Sequence, residues 1–144
     1  MNKKYILFCS TFMGVFILDQ ISKMAIRSTM SLHDKIWLIK PLLSLTYTTN
    51  TGAAFSILQN QNILLIGISV LVLGGIAFYS RTSPLQLMLP LGLITGGILG
   101  NLMDRLLLGS VVDFIDLQVW PVFNAADSSL VIGAVIIAFA SFKK

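Results

Sequence analysis

The strongest constraint on this chain is a pair of long apolar segments. Residues 63–79 and 85–103 run for 17 and 19 residues without a charged side chain, close to the ~20 residues that a helix needs to cross a hydrocarbon core of about 30 Å. Two further apolar segments lie at about 5–21 and 128–142, and each borders a pair of lysines. The sequence therefore predicts an all-α membrane protein with four transmembrane helices in a single domain over residues 1–144.

The composition supports this class and excludes others. Of the 144 residues, 56% are hydrophobic, and the mean hydropathy is +0.87, which is too apolar for a soluble domain of this length. The net charge of +4 comes mostly from lysines at the ends and in loops, so we expect membrane lipid as a partner and no nucleic acid. With one cysteine, one histidine and no glutamate, we expect no internal disulfide, no metal and no cofactor.

The acidic residues are few, and their positions are unusual. All six are aspartates, and four of them stand at the edges of apolar segments: Asp19, Asp104, Asp113 and Asp127. An ionised carboxylate near hydrocarbon is costly, so it indicates a function by default. Because the predicted helices alternate in direction, these carboxylates must all lie at the same face of the membrane. Asp113 and Asp127 are close along the chain, so the paired carboxylates of an acid protease are the first chemistry to test.

A long connection, residues 24–62, opens on the same face. Its segment from Trp37 to Phe55 is rich in β-branched and aromatic residues with partial alternation, which favours strands. Gly52 in this segment indicates a close approach of the backbone to another group. We therefore expect a small β platform, or cradle, over the ends of the helices.

The basic residues suggest an orientation once two of them are set aside. Five lie on each side of the predicted membrane, but Lys23 follows Asp19 by four residues and Arg105 is adjacent to Asp104. We expect both of these to make local polar contacts. The remaining basic residues favour a cytoplasmic location for both termini, which places the aspartates and the β platform at the extracytoplasmic face.

Spacing groups several polar residues near these carboxylates. Asn101, Asp104 and Arg105 fall at i, i+3 and i+4 on one helix face, where the amide and the guanidinium can orient neighbouring carboxylates. Asp19 and Lys23 form a similar pair at i, i+4. Either pair, taken alone, is more often an interfacial anchor than part of a catalytic site.

Asp127 and Asp113 differ in how easily structure alone explains them. Asp127 precedes Ser-Ser-Leu at the start of an apolar run, a pattern that is equally typical of a helix N-cap. Asp113 stands between Val112 and Phe114, with neither a cap nor a neighbouring base to account for its charge. Asp113 is therefore the stronger candidate for chemistry.

A stripe of glycines marks the third apolar segment. Gly92, Gly96 and Gly100 repeat every four residues, a spacing that lets another helix approach closely. We expect this stripe to pack inside the bundle rather than to form a dimer, and we expect a monomer.

Five motifs resemble, in order and spacing, those of the bacterial lipoprotein signal peptidases, the signal peptidase II family. They are D-Q-x-S-K at 19–23, T-N-T-G-A-A-F at 49–55, G-G-x-x-G-N-L-x-D-R at 96–105, G-x-V-V-D-F at 109–114 and F-N-x-A-D-S at 123–128. The resemblance covers nearly the whole chain and implies a four-helix aspartyl endopeptidase of the bacterial inner membrane, with its site beneath a β cradle. Such enzymes remove the signal peptide from prolipoproteins just before a cysteine that already carries diacylglycerol.

The resemblance also implies roles for individual residues. Asp113 and Asp127 become the catalytic pair, and the supporting or substrate-contacting residues are Asp19, Lys23, Asn50, Gly52, Asn101, Asp104, Arg105 and Asn124. Many relatives carry a basic residue directly before the asparagine of the second motif, where this chain has Thr49. No substrate contact is therefore assigned to that side chain.

The chemistry of two neighbouring aspartates is consistent with this implication. Two carboxyls held close together cannot both ionise cheaply, so one keeps its proton while the other draws a proton from water. The alternative is a small four-helix proton-coupled transporter. Such a carrier favours an acid near the middle of a helix, whereas these acids crowd one end. A purely structural membrane subunit would leave the cluster of acids without explanation.

Overall fold

The computed structural model describes residues 3–52 and 58–142. Within them, four helices are long and apolar enough to cross a membrane, and three antiparallel strands form one sheet. This confirms the predicted fold class. The elements are α1 (Lys3–Thr29), β1 (Lys35–Ile39), β2 (Leu43–Asn50), α2 (Asn62–Ser80), a 3₁₀ turn (Leu85–Leu87), α3 (Met88–Leu108), β3 (Val111–Asp116) and α4 (Ala125–Phe142).

Three helices extend past their expected limits. The first runs to Thr29 rather than to about residue 21, the third runs to Leu108 rather than to 103, and the fourth begins at Ala125 rather than at 128. A charge that finds its partner one turn away on the same helix does not force the helix to end. Lys23 pairs with Asp19 in this way inside α1, so the helix continues through both residues.

The sheet recruits a strand that the sequence did not predict. Its order is β1-β2-β3, so the first long connection supplies two strands, and the third comes from the segment between α3 and α4. Thr48 of β2 lies opposite Asp113 of β3. Residues 53–57, which include the end of the predicted β-rich segment, lie outside the described part of the chain.

A small apolar core attaches the sheet to the end of α1. Ile26 and Met30 pack with Val112 and Phe114 of β3. Because successive side chains of a strand point to opposite faces, Asp113, which lies between these two, belongs to the other face. The packing of β3 therefore determines where this carboxylate is presented.

The central helix of the bundle is α3, which packs between α1 and α4. A Cβ added at Gly92 would lie 2.8 Å from the Cβ of Thr11, and one added at Gly96 would lie 2.6 Å from the Cβ of Val15. Only glycine at these positions lets α1 come so near. This confirms the prediction that the glycine stripe packs within the bundle.

Candidate active site

A cleft of about 610 Å³ opens where the end of α3, the sheet and the first turn of α4 meet. Its wall includes the two aspartates of the predicted pair and four of the predicted supporting residues: Asp113, Asp127, Asn50, Gly52, Asn101 and Arg105. The other four supporting residues are buried beside the cleft: Asp19, Lys23, Asp104 and Asn124. The structure thus brings all ten predicted site residues to one end of the bundle.

Asp113 occupies β3, and only 3% of the residue is exposed. The side-chain amide of Asn124 donates to its Oδ1 over 2.7 Å. Burial, followed by the charge of Asp127, raises the pKa of Asp113 to about 7, against the opposing hydrogen bonds from Asn50 and Asn124. A carboxyl in such surroundings keeps its proton near neutral pH.

Asp127 is the third residue of α4, and both of its carboxylate oxygens accept hydrogen bonds. Asn101 Nδ2 donates to Oδ1 over 2.8 Å, and the backbone N–H of Asn124 donates to Oδ2 over 3.3 Å. In return, the backbone N–H of Asp127 donates to Asn124 Oδ1 over 2.9 Å. This reciprocal pair is a capping box in which Asn124 is the N-cap. The interpretation of Asp127 as the N-cap is therefore wrong.

Asn124 links the two carboxylates of the pair. It is fully buried, and it contacts Asp113 through its side chain and Asp127 through its backbone and side chain. Its Nδ2 also lies 3.1 Å from Asn101 Oδ1 and 3.2 Å from the carbonyl oxygen of Val112. Asn124 thus fixes the carboxylates of Asp113 on β3 and Asp127 on α4 relative to each other.

A buried ionic cluster of Asp19, Lys23 and Asp104 lies next to these residues. Lys23 Nζ lies 2.8 Å from Asp19 Oδ2 and 3.0 Å from Asp104 Oδ2, and at most 4% of any of the three side chains is exposed. The other oxygen of Asp19 accepts the backbone N–H of Ala126 over 2.9 Å, and Asp104 accepts that of Val112 over 3.0 Å. These side chains therefore anchor α4 and β3 to the bundle, and they do so from buried positions.

Gln20 completes this cluster, and it was absent from the predicted site. Its Nε2 lies 3.2 Å from an oxygen of Asp19 and 3.2 Å from one of Asp104. The signal was present in the sequence, because this glutamine belongs to the first of the five motifs. Trp120 in the cleft wall was also missed, since the loop that carries it has no local pattern.

Arg105 faces the same cleft and holds the loop that follows β2. Its Nη2 donates to the carbonyl oxygen of Gly52 over 2.9 Å, while the backbone N–H of Gly52 donates to Asn50 Oδ1 over 2.8 Å. Among the described residues Arg105 makes no direct ion pair. The expectation that its guanidinium orients a carboxylate by hydrogen bonds is therefore wrong, whereas Asn101 does so for Asp127.

Fold and site together define a class: a membrane-spanning protein with two carboxylates in an open cleft at one end of its helix bundle. The family model described as signal peptidase (SPase) II matches residues 11–143. The lipoprotein signal peptidase of Halothermothrix orenii is 45% identical over 125 residues, which cover 85% of this chain and 86% of the relative. That of Pelotomaculum thermopropionicum is 41% identical over 129 residues, which cover 88% and 85%.

A solved structure agrees with these relatives. It is described as a bacterial membrane enzyme determined by the in meso method at 2.3 Å resolution, and it matches with a TM-score of 0.91 at 34% identity over 94% of this chain and 87% of that one. The chain belongs to the signal peptidase II family of aspartyl peptidases. The transporter alternative consequently has no support.

Proposed function

We propose that this peptidase removes the signal peptide from diacylglyceryl-modified prolipoproteins by cutting directly before the lipidated cysteine, with Asp113 and Asp127 as its catalytic pair. The observation that carries the proposal is the position of Asn124, which contacts both carboxylates in the cleft. The named relatives are lipoprotein signal peptidases, which supports the same class of substrate. Residues 1–144 act as a single domain and as a monomer in this proposal.

The reaction uses the unequal environments of the two carboxyls. Asp127 is ionised and takes a proton from a water molecule, whose oxygen attacks the scissile carbonyl carbon, while Asp113 gives its proton to the carbonyl oxygen. The tetrahedral intermediate then collapses: its C–N bond breaks, the leaving nitrogen takes the proton held by Asp127, and one hydroxyl of the intermediate returns a proton to Asp113 as the carbonyl re-forms. The pKa of about 7 for Asp113 supports its role as the proton donor in the first step.

The shape of the cleft fits a substrate that stays anchored in lipid. Its wall continues from the aspartates onto Leu130 and Val131 of α4, and Val131 is 63% exposed. An apolar exit on an outward helix face lets acyl chains remain among lipid chains while the peptide bond reaches water.

The orientation of the chain belongs to the same proposal. Lys4 Nζ lies 2.8 Å from the carbonyl oxygen of Arg81, so the N-terminal end of α1 and the turn after α2 share one face of the bundle. Basic residues at that face favour the cytoplasm. The aspartates then lie at the extracytoplasmic face of the inner membrane, where the lipid-modified precursor is exposed after export.

Purified protein tests the proposal directly. In mixed micelles, a diacylated prolipoprotein should be cut before its modified cysteine, as detected by mass spectrometry of both products, and the same precursor without the lipid should be cut far more slowly. The Asp113→Asn variant provides the matched inactive control. Equal cleavage of both precursors, or release of the peptide by Asp113→Asn, would refute the proposal.

A further inference from the structure

Lys23 lies outside the cleft wall, yet it reaches the cleft through one neighbour. Its ammonium contacts Asp19 Oδ2 at 2.8 Å, Asp104 Oδ2 at 3.0 Å and Asn101 Oδ1 at 2.9 Å. An ammonium has three hydrogens to donate and no lone pair to accept one. All three hydrogens are therefore used, and Asn101 must turn its side-chain oxygen towards α1.

Fixing one end of an amide fixes the other. With Oδ1 on Lys23, Asn101 presents Nδ2 to Asp127 Oδ1 over 2.8 Å. The flipped amide would set its oxygen against the carboxylate and its NH₂ against the ammonium, two repulsive contacts. The Asn124 amide also lies 3.1 Å from Asn101 Oδ1, but its two hydrogens are shared among three acceptors, so Lys23 is the committed donor.

The other charged groups in this region do not orient the Asn101 amide. The guanidinium of Arg105 donates to the backbone oxygen of Asn101, over 3.5 Å, and not to its side chain. Asp19 of α1 and Asp104 of α3 both contact Lys23 and cannot donate when ionised. Asp113 of β3, which keeps its proton in this proposal, is bonded to Asn124 rather than to Asn101.

We propose that Lys23 is a positioning residue that acts through Asn101 to keep Asp127 the ionised member of the catalytic pair. The inference rests on the proposed function above. A donor that always faces Asp127 Oδ1 stabilises the carboxylate over the acid, and the N–H of Asn124 faces Oδ2 at 3.3 Å. Asp127 is thereby the base that deprotonates water, and the proton needed by the carbonyl oxygen stays on Asp113.

The test is the pH dependence of kcat for cleavage of a diacylated prolipoprotein in mixed micelles. Lys23→Met should lower kcat about tenfold at acidic pH and move the acidic limb of the profile up by about one pH unit, as expected for one lost hydrogen bond to a charged group. Lys35→Met is the matched control, because Lys35 pairs with Asp116 at 3.1 Å on the sheet, away from the cleft. An acidic limb that stays in place in Lys23→Met would overturn the inference.

A double-mutant cycle separates positioning from a purely structural role. In an Asn101→Ala background, Lys23→Met should move the acidic limb by clearly less than it does in the wild-type background, because the route through the amide is already lost and only the direct charge of Lys23 remains. Equal shifts in both backgrounds would overturn the inference, since Lys23 would then act by another route.

Folding is controlled within the same design. Removing Lys23 leaves Asp19 and Asp104 buried without a counter-ion, so thermal unfolding is measured for each variant. If Lys23→Met does not fold, the charge-balanced Lys23→Met/Asp104→Asn variant, compared with Asp104→Asn alone, decides the same shift. Failure of the wild-type protein to cleave would refute the proposed function, whereas normal wild-type cleavage with an unmoved limb refutes only the role of Lys23.

Discussion

The interface between α1 and α3 is built in two different ways along its length. At Gly92 and Gly96 the backbone of α3 packs against the side chains of Thr11 and Val15, and the two helices are held by close van der Waals contact. At Gly100 the same stripe meets the carboxylate of Asp19 instead. One pair of helices is thus joined by close packing in its apolar half and by a hydrogen-bonded ionic cluster in its polar half.

This difference separates the source of stability from the source of function. Taking Asp19, Lys23 and Asp104 out of water is costly, and their mutual attraction offsets that cost only in part. The close fit of the apolar half gains dispersion contacts without any such penalty. We therefore expect isosteric changes to the two cleft carboxylates at the polar end to appear mainly in activity, and changes to the close contact at the apolar end to appear mainly in stability. Removing one member of the ionic cluster would affect both.

The largest effect should come from Asp113 and Asp127, the proposed catalytic pair. Asp113→Asn and Asp127→Asn keep the size and polarity of each side chain, but an amide can neither take a proton from water nor share one, so kcat should fall about 10³-fold or more. The double variant should be no worse than either single one, because the pair acts as a unit. Cleavage assays on variants that thermal unfolding shows to be folded provide the measurement.

Arg81→Gln is the matched control for both variants, because it changes a charged residue at the opposite end of the bundle and should be silent. Near-normal cleavage by folded Asp127→Asn would show that Asp127 serves only in the capping box and is not catalytic.

The next largest effect should be a loss of stability when the close contact of the apolar half is disrupted. Gly96→Val places a side chain where the carbonyl oxygen of Phe12 would be 2.7 Å from the new Cβ, so α1 must shift, at a cost of about 1–3 kcal/mol or more. Gly74→Val is the control, since nothing lies within 4 Å of its added Cβ. Thermal unfolding in detergent should show a lower midpoint for the first variant alone. Equal midpoints would contradict the close α1–α3 contact.

A smaller effect should appear in how stability varies with pH. The pKa of Asp113 is about 7 in the folded protein, above its ordinary 3.8, so its stabilising contribution is full below pH 3.8 and is lost as pH rises through about 7. An asparagine cannot ionise, so Asp113→Asn does not lose stability in this pH range. Its unfolding temperature should therefore be higher than that of the wild type at pH 8, and the difference should shrink towards pH 5.

Asp34→Asn, which makes the same substitution at an exposed aspartate, is the control for the substitution itself. Parallel curves for the wild type and Asp113→Asn between pH 5 and pH 8 would show that the burial of this carboxyl has no energetic cost.

No effect on activity is expected from single cysteine substitutions that report which side of the membrane each end of the bundle faces. In a Cys9→Ala background, Lys40→Cys and Val119→Cys should react with an impermeant thiol reagent from one side of sealed, oriented vesicles, and Arg81→Cys from the other. All three should cleave substrate like the parent. Labelling of all three from the same side would refute the proposed topology.

The apolar half was the more predictable half from sequence. The run at 63–79 corresponds to a helix at Asn62–Ser80, because hydropathy alone decides whether a segment enters lipid. The glycine stripe likewise predicted a close helix contact, since spacing along one helix is local information. Neither inference required knowledge of which residues meet across the fold.

The polar half was predicted as a set of residues but not as a geometry. The strand at Val111–Asp116 depends on pairing with β2, more than 60 residues earlier, and its buried faces leave no alternating pattern. Asn124 is an N-cap only because the helix begins one residue later than it, a boundary that local propensity places poorly. The tasks of Arg105 and Gln20 follow from contacts across the fold, which no local spacing contains.

The hydrogen bond from the Ala126 N–H to Asp19 Oδ1 spans 107 positions of the chain over 2.9 Å, and this separation has a consequence for biosynthesis. A ribosome delivers α1 to the membrane long before it makes α4, so Asp19 waits without this partner, and a buried polar group without a partner is costly. We expect the first helix to stay loosely docked until the last one arrives. Insertion of α4 then both supplies Asp127, the second aspartate of the proposed pair, and secures the first helix. If that pair is catalytic, nascent chains acquire proteolytic competence in a single late step.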